Sequence, residues 1–301
     1  MKKVFIIVLH YKGVKDTSEC LSSLGKIFIP KELNVNIVII DNASNDNLKS
    51  LGAYVIRNNN NLGFAGGNNI GIKYALSKGA DYILILNNDT IVDKDFLEKL
   101  VSSIKNNNKF GIAVPKIYFA KDCEFHKSRY KINELGKVLW YAGGKIDWKN
   151  VIGYHVGVDE VDRGQFDKLE ETEIATGCCM LVKREVFEKV GMLNEKYFLY
   201  YEDSDFSIRT KTAGFKILYV PDSIIWHKNA GSSDGSGSSL QDYYITRNRM
   251  IFGMSYFSIR SKLALIREGL GFYCLAENGR RGEFLIFILE DWGEEVIDKS
   301  I

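Results

Sequence analysis

The sequence predicts an α/β fold built on a mostly parallel central sheet with helices on both faces. In the N-terminal third, runs rich in β-branched residues alternate with helical stretches, which is the rhythm of βαβ units. The strand-like runs are continuously apolar, as expected when both faces of a strand are covered. Polar clusters fall at or just beyond their carboxyl ends: His10-Tyr11-Lys12, Asp41-Asn42, residues 58–61 and Asn87-Asn88-Asp89. Ligands of open parallel sheets bind at that edge.

The first strand is expected over residues 4–9. Lys2, Lys3 and the apolar run behind them superficially resemble a secretion signal, but the run is short, is closed by His10 and Tyr11, and lacks a small-residue cleavage site. A helix over 17–24, a strand over 35–40 and a helix over 44–51 follow. The pattern repeats with a strand at 54–57, a helix over 65–77, a strand over 82–86 and a helix over 94–104. Beyond Pro115 the texture changes. Residues 121–173 are rich in charge, glycine and isolated aromatics, which predicts a small β excursion or lid. Regular structure resumes as a strand over 174–182 and a helix over 184–190 stopped by Gly191. A helix over 205–213 ends at Gly214 and leads into a strand over 215–220 stopped by Pro221, with strand-like 223–225 beyond. Residues 230–239 are nearly all Gly, Ser and Asp, the composition of a mobile loop, and 243–257 reads as an aromatic helix.

Composition excludes several classes of function. The 40 Lys and Arg against 38 Asp and Glu leave a net charge of +2, so there is no global basic field to attract duplex nucleic acid. No nucleic-acid partner is expected. No apolar stretch approaches the ~20 residues that span a bilayer. Cys20, Cys123, Cys178, Cys179 and Cys274 are odd in number and lack metal-ligand spacing, which argues against a disulfide framework or a zinc site and fits a reducing cytoplasm.

Four segments carry chemistry. Asn61-Leu62-Gly63-Phe64-Ala65-Gly66-Gly67-Asn68-Asn69 enters a helix; glycine permits close backbone approach, and free N–H groups at a helix start attract phosphate or sugar oxygens. The competing reading is a tight turn with a capped helix. Asn87-Asn88-Asp89-Thr90 presents Asp89 at the sheet edge, where a carboxylate suits a hard divalent ion; taken alone, it also reads as a turn with Asp89 capping a helix. In Tyr200-Tyr201-Glu202-Asp203-Ser204-Asp205, Asp205 has a bland i, i+4 partner in Arg209. Glu202 and Asp203 have none, and crowded carboxylates repel, which raises a pKa and leaves a usable base. Trp226-His227 sits at a strand end beside the Gly/Ser segment. A lone His is usually structural, but a loop beside it suggests closure over a substrate.

Together these segments resemble the family-two inverting glycosyltransferases of the GT-A fold, in particular the bacterial rhamnosyltransferase-like branch. The matching pieces are Asp41-Asn42-Ala43-Ser44, residues 61–69, Asn87-Asn88-Asp89-Thr90, residues 176–182, residues 197–209, Trp226-His227 and Tyr243-Tyr244-Ile245-Thr246-Arg247-Asn248-Arg249, in that order, across most of 2–252. The resemblance implies a glycosyltransferase domain over 1–256, with a nucleotide-binding half (1–115) and an acceptor and catalytic half (116–256), followed by a helical C-terminal extension (257–301). It implies a donor site of Asp41, Asn42, Asn61, Gly63, Gly67, Asn68, Asn87 and Asn88. In that site Asp41 recognises a pyrimidine ring and Asn87 lies near the ribose. Arg247 and Arg249 approach the diphosphate. Asp89 and His227 hold Mn2+ or Mg2+ on it, and Asp203 is the catalytic base with Glu202 beside it.

Many relatives carry two aspartates in the metal motif, and Asn87 stands in place of the first, so metal is expected to arrive mainly with the donor. The partners implied are a nucleotide diphosphate sugar, deoxythymidine diphosphate rhamnose being favoured, and a glycan or lipid-linked glycan acceptor. The expected location is the cytoplasm, with peripheral contact at the inner face of the membrane. The tail mixes Arg260, Lys262, Arg267, Arg280 and Arg281 with Phe272, Tyr273, Phe284 and Phe287, which suits anionic headgroups and equally reads as a packed helix pair. Two rivals are a sugar-phosphate nucleotidyltransferase and a non-catalytic glycan-binding subunit. The first wants a glycine- and basic-rich loop after the first strand, where residues 10–16 offer only Lys12, Lys15 and one Gly.

Overall fold

Apolar β-branched runs extend readily and bury on both faces. The computed structural model, which describes residues 1–48, 52–229 and 239–275, has them as the centre of the molecule. The elements are β1 (Lys2–His10), α1 (Val14–Leu24), β2 (Leu33–Asp41), β3 (Tyr54–Arg57), α2 (Gly63–Ser77), β4 (Tyr82–Asn87), β5 (Thr90–Val92), α3 (Phe96–Ile104) and β6 (Phe110–Phe119). Then come β7 (Leu139–Tyr141), β8 (Gly144–Asp147), β9 (Ile152–His155), β10 (Glu170–Thr172), β11 (Cys179–Lys183), α4 (Arg184–Val190), α5 (Glu202–Thr212), β12 (Lys216–His227), α6 (Ser239–Tyr256) and α7 (Ile259–Leu275).

The main sheet runs β10-β12-β6-β11-β4-β1-β2-β3, with β5 on β12 and β7 on β6. β3, β2, β1 and β4 are mutually parallel. β11 runs antiparallel to both β4 and β6, so the sheet is mixed at its centre. The expected β excursion is present as β7 to β10, with β8 and β9 forming a separate hairpin sheet. α2 packs onto the sheet through glycine: a Cβ at Gly67 would lie 2.5 Å from Leu9 Cδ1, and one at Gly71 2.6 Å from Ile7 Cγ2. These glycines therefore set the depth at which the helix sits.

Four expectations change. Residues 44–48 are not helical. Asp41 Oδ1 accepts from Ser44 N at 2.9 Å and Ser44 Oγ accepts from Asp46 N at 3.2 Å; such local bonds compete with helix formation. β11 begins at Cys179 and not at 174. β12 continues through Pro221, because its register against β6 shifts between Val220 and Ile224 and proline is tolerated at such irregularities. α5 begins at Glu202, so Glu202 and Asp203 occupy its first turn. The Gly/Ser segment over 230–238, the end of 44–51, and Arg280, Arg281, Phe284 and Phe287 lie outside the described residues.

The chain divides into two compact units, Met1–Asp147 with Ile152–Asn248, and Trp148–Val151 with Arg249–Ile301. The sheet belongs to the first. In the second, Trp148 and Phe257 rings lie 5.0 Å apart, and Arg249 pairs with Glu268 at 2.8 Å. The domain boundary expected after residue 256 coincides with the end of α6, whereas the division into units falls inside that helix. No helix among the described residues is long and apolar enough to cross a membrane.

Candidate active site

Strand register assembles the carboxyl edge of the sheet. His10 pairs with Asp41, Asp41 with Arg57, and Leu9 with Asn87, so the polar clusters that follow four separate runs lie side by side. A cleft of about 630 Å³ opens there. Asn42, Asn61, Gly63, Asn87, Asn88, Asp89, Glu202, Asp203 and His227 line it. Asp41, Gly67, Asn68 and Arg247 do not line it.

Asp89 and His227 meet because β5 folds back antiparallel on β12, pairing His227 with Thr90. Asp89 Oδ1 lies 3.1 Å from His227 Nε2. Asn88 and Asp89 form a turn, as the competing reading expected, but Asp89 is followed by a strand and does not cap a helix. His227 Nδ1 is buried without a hydrogen-bond partner, and the Trp140 ring stands edge-on to the imidazole at 4.5 Å. A carboxylate beside an imidazole is a donor set that fits Mn2+ or Mg2+. Among the described residues no group of three or more His, Cys, Asp or Glu side chains could hold a metal, so any further ligands would come from a diphosphate and water.

The glycine-rich segment is built differently from expectation. Asn42 is a buried hub: its Nδ2 donates to Asn61 Oδ1 at 2.8 Å and Gly63 O at 3.0 Å, and its Oδ1 accepts from Asn58 Nδ2 and Leu62 N, both at 3.0 Å. The N–H groups at the start of α2 are already engaged. Gly63 N donates to Asn61 Oδ1 at 2.9 Å, and Phe64 N and Ala65 N donate to Phe198 O at 2.6 and 3.3 Å. They do not face a ligand as free donors, because the 198–201 turn caps the helix. Gly63, at φ 69°, has no room for a Cβ against that same carbonyl. Gly67 serves helix packing, and Asn68 donates to Phe64 O one turn back at 2.9 Å.

Asp41 is buried, with Oδ2 3.4 Å from Arg57 Nε and without a hydrogen-bond partner. Asn88 Nδ2 donates to Thr17 Oγ1 at 2.9 Å, tying the Asn87–Thr90 turn to α1.

The carboxylates of α5 differ in their surroundings. Asp203 Oδ2 accepts from Gly177 N at 3.0 Å, and Oδ1 accepts from Ser204 N at 2.7 Å. Burial raises the Asp203 pKa above the ordinary carboxylate value, and these donors hold the rise back. Glu202 has a buried Oε2 without a partner. Its burial, reinforced by the Asp203 charge, pushes its pKa well above the usual range. Asp205 is held by Arg209 Nε at 2.7 Å, the structural pair anticipated from the spacing.

Several lining groups were not singled out from sequence. Trp140 and His155 reach the cleft from the β excursion. Burial lowers His155 to about 4, so its ring is neutral, and Nδ1 at 3.1 Å from Trp140 O must carry the hydrogen. The turn before α5 contains Phe198, Tyr200 and Tyr201 at φ 60°, 70° and 71°, a conformation that costs a non-glycine residue about 1–3 kcal/mol. Non-glycine residues at such angles carry no sequence signal.

Arg247 is committed to Lys196 O and Asn248 Oδ1, both at 2.8 Å. Arg249 lies in the second unit, where it binds Asn150 O at 2.8 Å and Glu268.

A profile of the family described as Glycosyl transferase family 2 matches residues 5–191. Among curated proteins, the chain is similar to a low-salt glycan biosynthesis hexosyltransferase of Haloferax volcanii, at 26% identity over 84% of this chain and 76% of that protein. It is also similar to a dTDP-rhamnosyl transferase of Shigella flexneri, at 29% identity over 82% and 78%. Among solved structures, GalNAc-T7 with UDP, GalNAc and Mn2+ superposes with a TM-score of 0.67 at 18% identity, covering 96% of this chain and 54% of that one. The chain thus spans about half of that protein. Residues 1–349 of S. aureus TarS give a TM-score of 0.56 at 16% identity, over 97% and 82%. At these identities the likeness shows the fold, and the fold is GT-A.

Proposed function

From the premise that this chain belongs to glycosyl transferase family 2, we propose that it moves a sugar from a pyrimidine nucleotide diphosphate donor to a hydroxyl of a cell-surface glycan or lipid-linked acceptor, with inversion. Relatives named for hexosyl and dTDP-rhamnosyl transfer favour rhamnose. The observation that carries the reading is one cleft in which Asp203 and Glu202 share the lining with the Asp89–His227 pair and the Asn61–Gly63 turn.

In the proposed reaction the acceptor hydroxyl attacks the anomeric carbon opposite the leaving group. The bond from that carbon to the diphosphate oxygen breaks, the new glycosidic bond forms, and the hydroxyl proton passes to the Asp203 carboxylate. Base catalysis of this kind supplies roughly 10² to 10⁴-fold, through a transition state with oxocarbenium character. Gly177 N and Ser204 N hold the carboxylate in place. Glu202, kept neutral by burial, donates a hydrogen bond to the acceptor. Asp41 Oδ2, buried without a hydrogen-bond partner just outside the cleft lining, is the acceptor for the ring N–H of a base that extends past Asn42. When bound at Asp89 and His227, a divalent ion would stabilise charge on the diphosphate. The protein works from the cytoplasm at the inner face of the membrane, where its acceptor is presented.

The test is a transfer assay over a panel of nucleotide sugars, with and without manganese, with the product's anomeric configuration read by NMR. Inverted glycoside is expected. Retained configuration overturns the mechanism, release of pyrophosphate from a sugar phosphate and a nucleoside triphosphate identifies a nucleotidyltransferase, and binding without turnover identifies a glycan-binding subunit.

A further inference from the structure

Asn248 is fully buried on α6, and its carboxamide nitrogen faces three carbonyls of one short segment: Tyr197 O at 2.8 Å, Leu199 O at 2.7 Å and Tyr200 O at 2.8 Å. A carboxamide has two N–H hydrogens, so they are shared among three acceptors. The orientation of the amide is fixed independently, because Arg247 Nη1 donates to its Oδ1 at 2.8 Å. Tyr244, one turn earlier on α6, stacks on Phe198 with ring centres 5.1 Å apart.

The segment so gripped is unusual. Phe198, at φ 60° and ψ −58°, is the centre of a turn closed by Leu199 N donating to Tyr197 O at 2.6 Å, the strained form of the γ-turn. Tyr200 and Tyr201 are also at positive φ, and Tyr201 is the residue from which α5 starts. The turn has two ends that matter. Its Phe198 carbonyl caps α2 through Phe64 N and Ala65 N, behind the Asn61–Gly63 wall of the cleft, and its far end launches Glu202 and Asp203.

We propose that Asn248 is a positioning residue: its carboxamide holds the 198–201 turn in its left-handed form and thereby couples the start of α2 to the placement of Asp203. The inference rests on the glycosyltransferase reading of the cleft. No residue of the clamp touches the reacting atoms. A turn with three non-glycine residues at positive φ relaxes when the groups that over-determine it are removed. The first turn of α5 then shifts, and water reaches the Asp203 carboxyl. The titratable neighbours of that carboxyl are Glu202 on α5, Tyr141 from β7 and Cys178 before β11, while Asp205 acts on Glu202 and is held by Arg209.

The experiment compares the full chain with Asn248→Ser and Asn248→Asp. Serine leaves space for a water to donate to the carbonyls, whereas aspartate turns an acceptor toward three acceptors. The kcat is expected to fall by at least ~10-fold in Asn248→Asp and by less in Asn248→Ser, with donor KM rising by a smaller factor, since Asn42 also holds the Asn61–Gly63 wall. The acid limb of the kcat–pH profile is expected to move to lower pH as Asp203 becomes hydrated. A lower melting temperature with kcat and pH profile unchanged overturns the proposal and leaves Asn248 a packing residue. So does failure of both variants to fold, since a residue that only positions a turn does not decide folding. Absence of sugar transfer by the wild-type chain is a separate result, which ends the glycosyltransferase reading and this inference with it.

Discussion

Two adjacent carboxylates in the first turn of α5 differ in their surroundings. Asp203 receives backbone donors that favour its charged form, while Glu202 is buried against that charge with one oxygen unpartnered. Asp203→Asn keeps the shape and removes the proton acceptor, so transfer is expected to fall by at least ~10²-fold with donor affinity and melting temperature retained. Near-normal turnover would move the base to Glu202. For Glu202 burial raises the folded pKa well above the ordinary carboxylate value, so its contribution to stability is fully present below the unfolded pKa and is lost as pH rises through the folded one. Glu202→Gln should therefore flatten the decline of melting temperature with rising pH and melt above wild type at about pH 8. An unchanged slope would show that Glu202 is charged in the fold. Asp89→Ala and His227→Ala should each weaken donor binding only when metal is present, measured by calorimetry; metal dependence equal to wild type would end the assignment of that pair.

At the scale of elements, α2 shows how glycine acts through packing. Gly67 and Gly71 face Leu9, Ile7 and Ile40, so the helix lies close on β1 and β2 and its amino end reaches the cleft. Gly71→Ala would put a methyl 2.6 Å from Ile7 Cγ2 and 3.1 Å from Ile40 Cγ1. Overpacking of this kind costs about 1–3 kcal/mol, offset in part by the ~1 kcal/mol advantage of alanine in a helix. A urea midpoint equal to or above that of wild type would mean that the helix shifts without penalty. The glycines of this segment are conspicuous in the sequence and suggest a phosphate cradle. What they cannot reveal is that the helix start is capped by Phe198 O, a partner far along the chain in a turn that nothing local predicts.

For the whole molecule the measurable consequence is selectivity between bases. Saturating uridine or thymidine diphosphate with manganese, at about a hundredfold over Kd, should stabilise the fold by roughly 2.7 kcal/mol, which at this size is a rise of about 4 °C in melting temperature. Adenosine diphosphate should give little, because the free ring nitrogens of adenine only accept and leave Asp41 Oδ2 unpaired, whereas uracil and thymine present a ring N–H to it. Equal shifts from both classes would remove Asp41 from base recognition.

The order of strands and helices, the near-continuous burial of β1 and β4 and the candidate carboxylates were legible because periodicity, propensity and residue type are local properties of the chain. Register then placed Asp41 and Asn87 at one edge with little further information, since parallel strands of matched length end together. The tertiary structure decided which side chains meet. It brought His227 to Asp89 through the fold-back of β5 on β12, left residues 44–48 outside any helix, gave the amino end of α2 to Phe198 O and set Asn248 under a strained turn. Such contacts join residues far apart in the chain, as Asp89 and His227 are. They depend on loop paths and on strain that packing compensates, and neither is written in any short stretch of sequence.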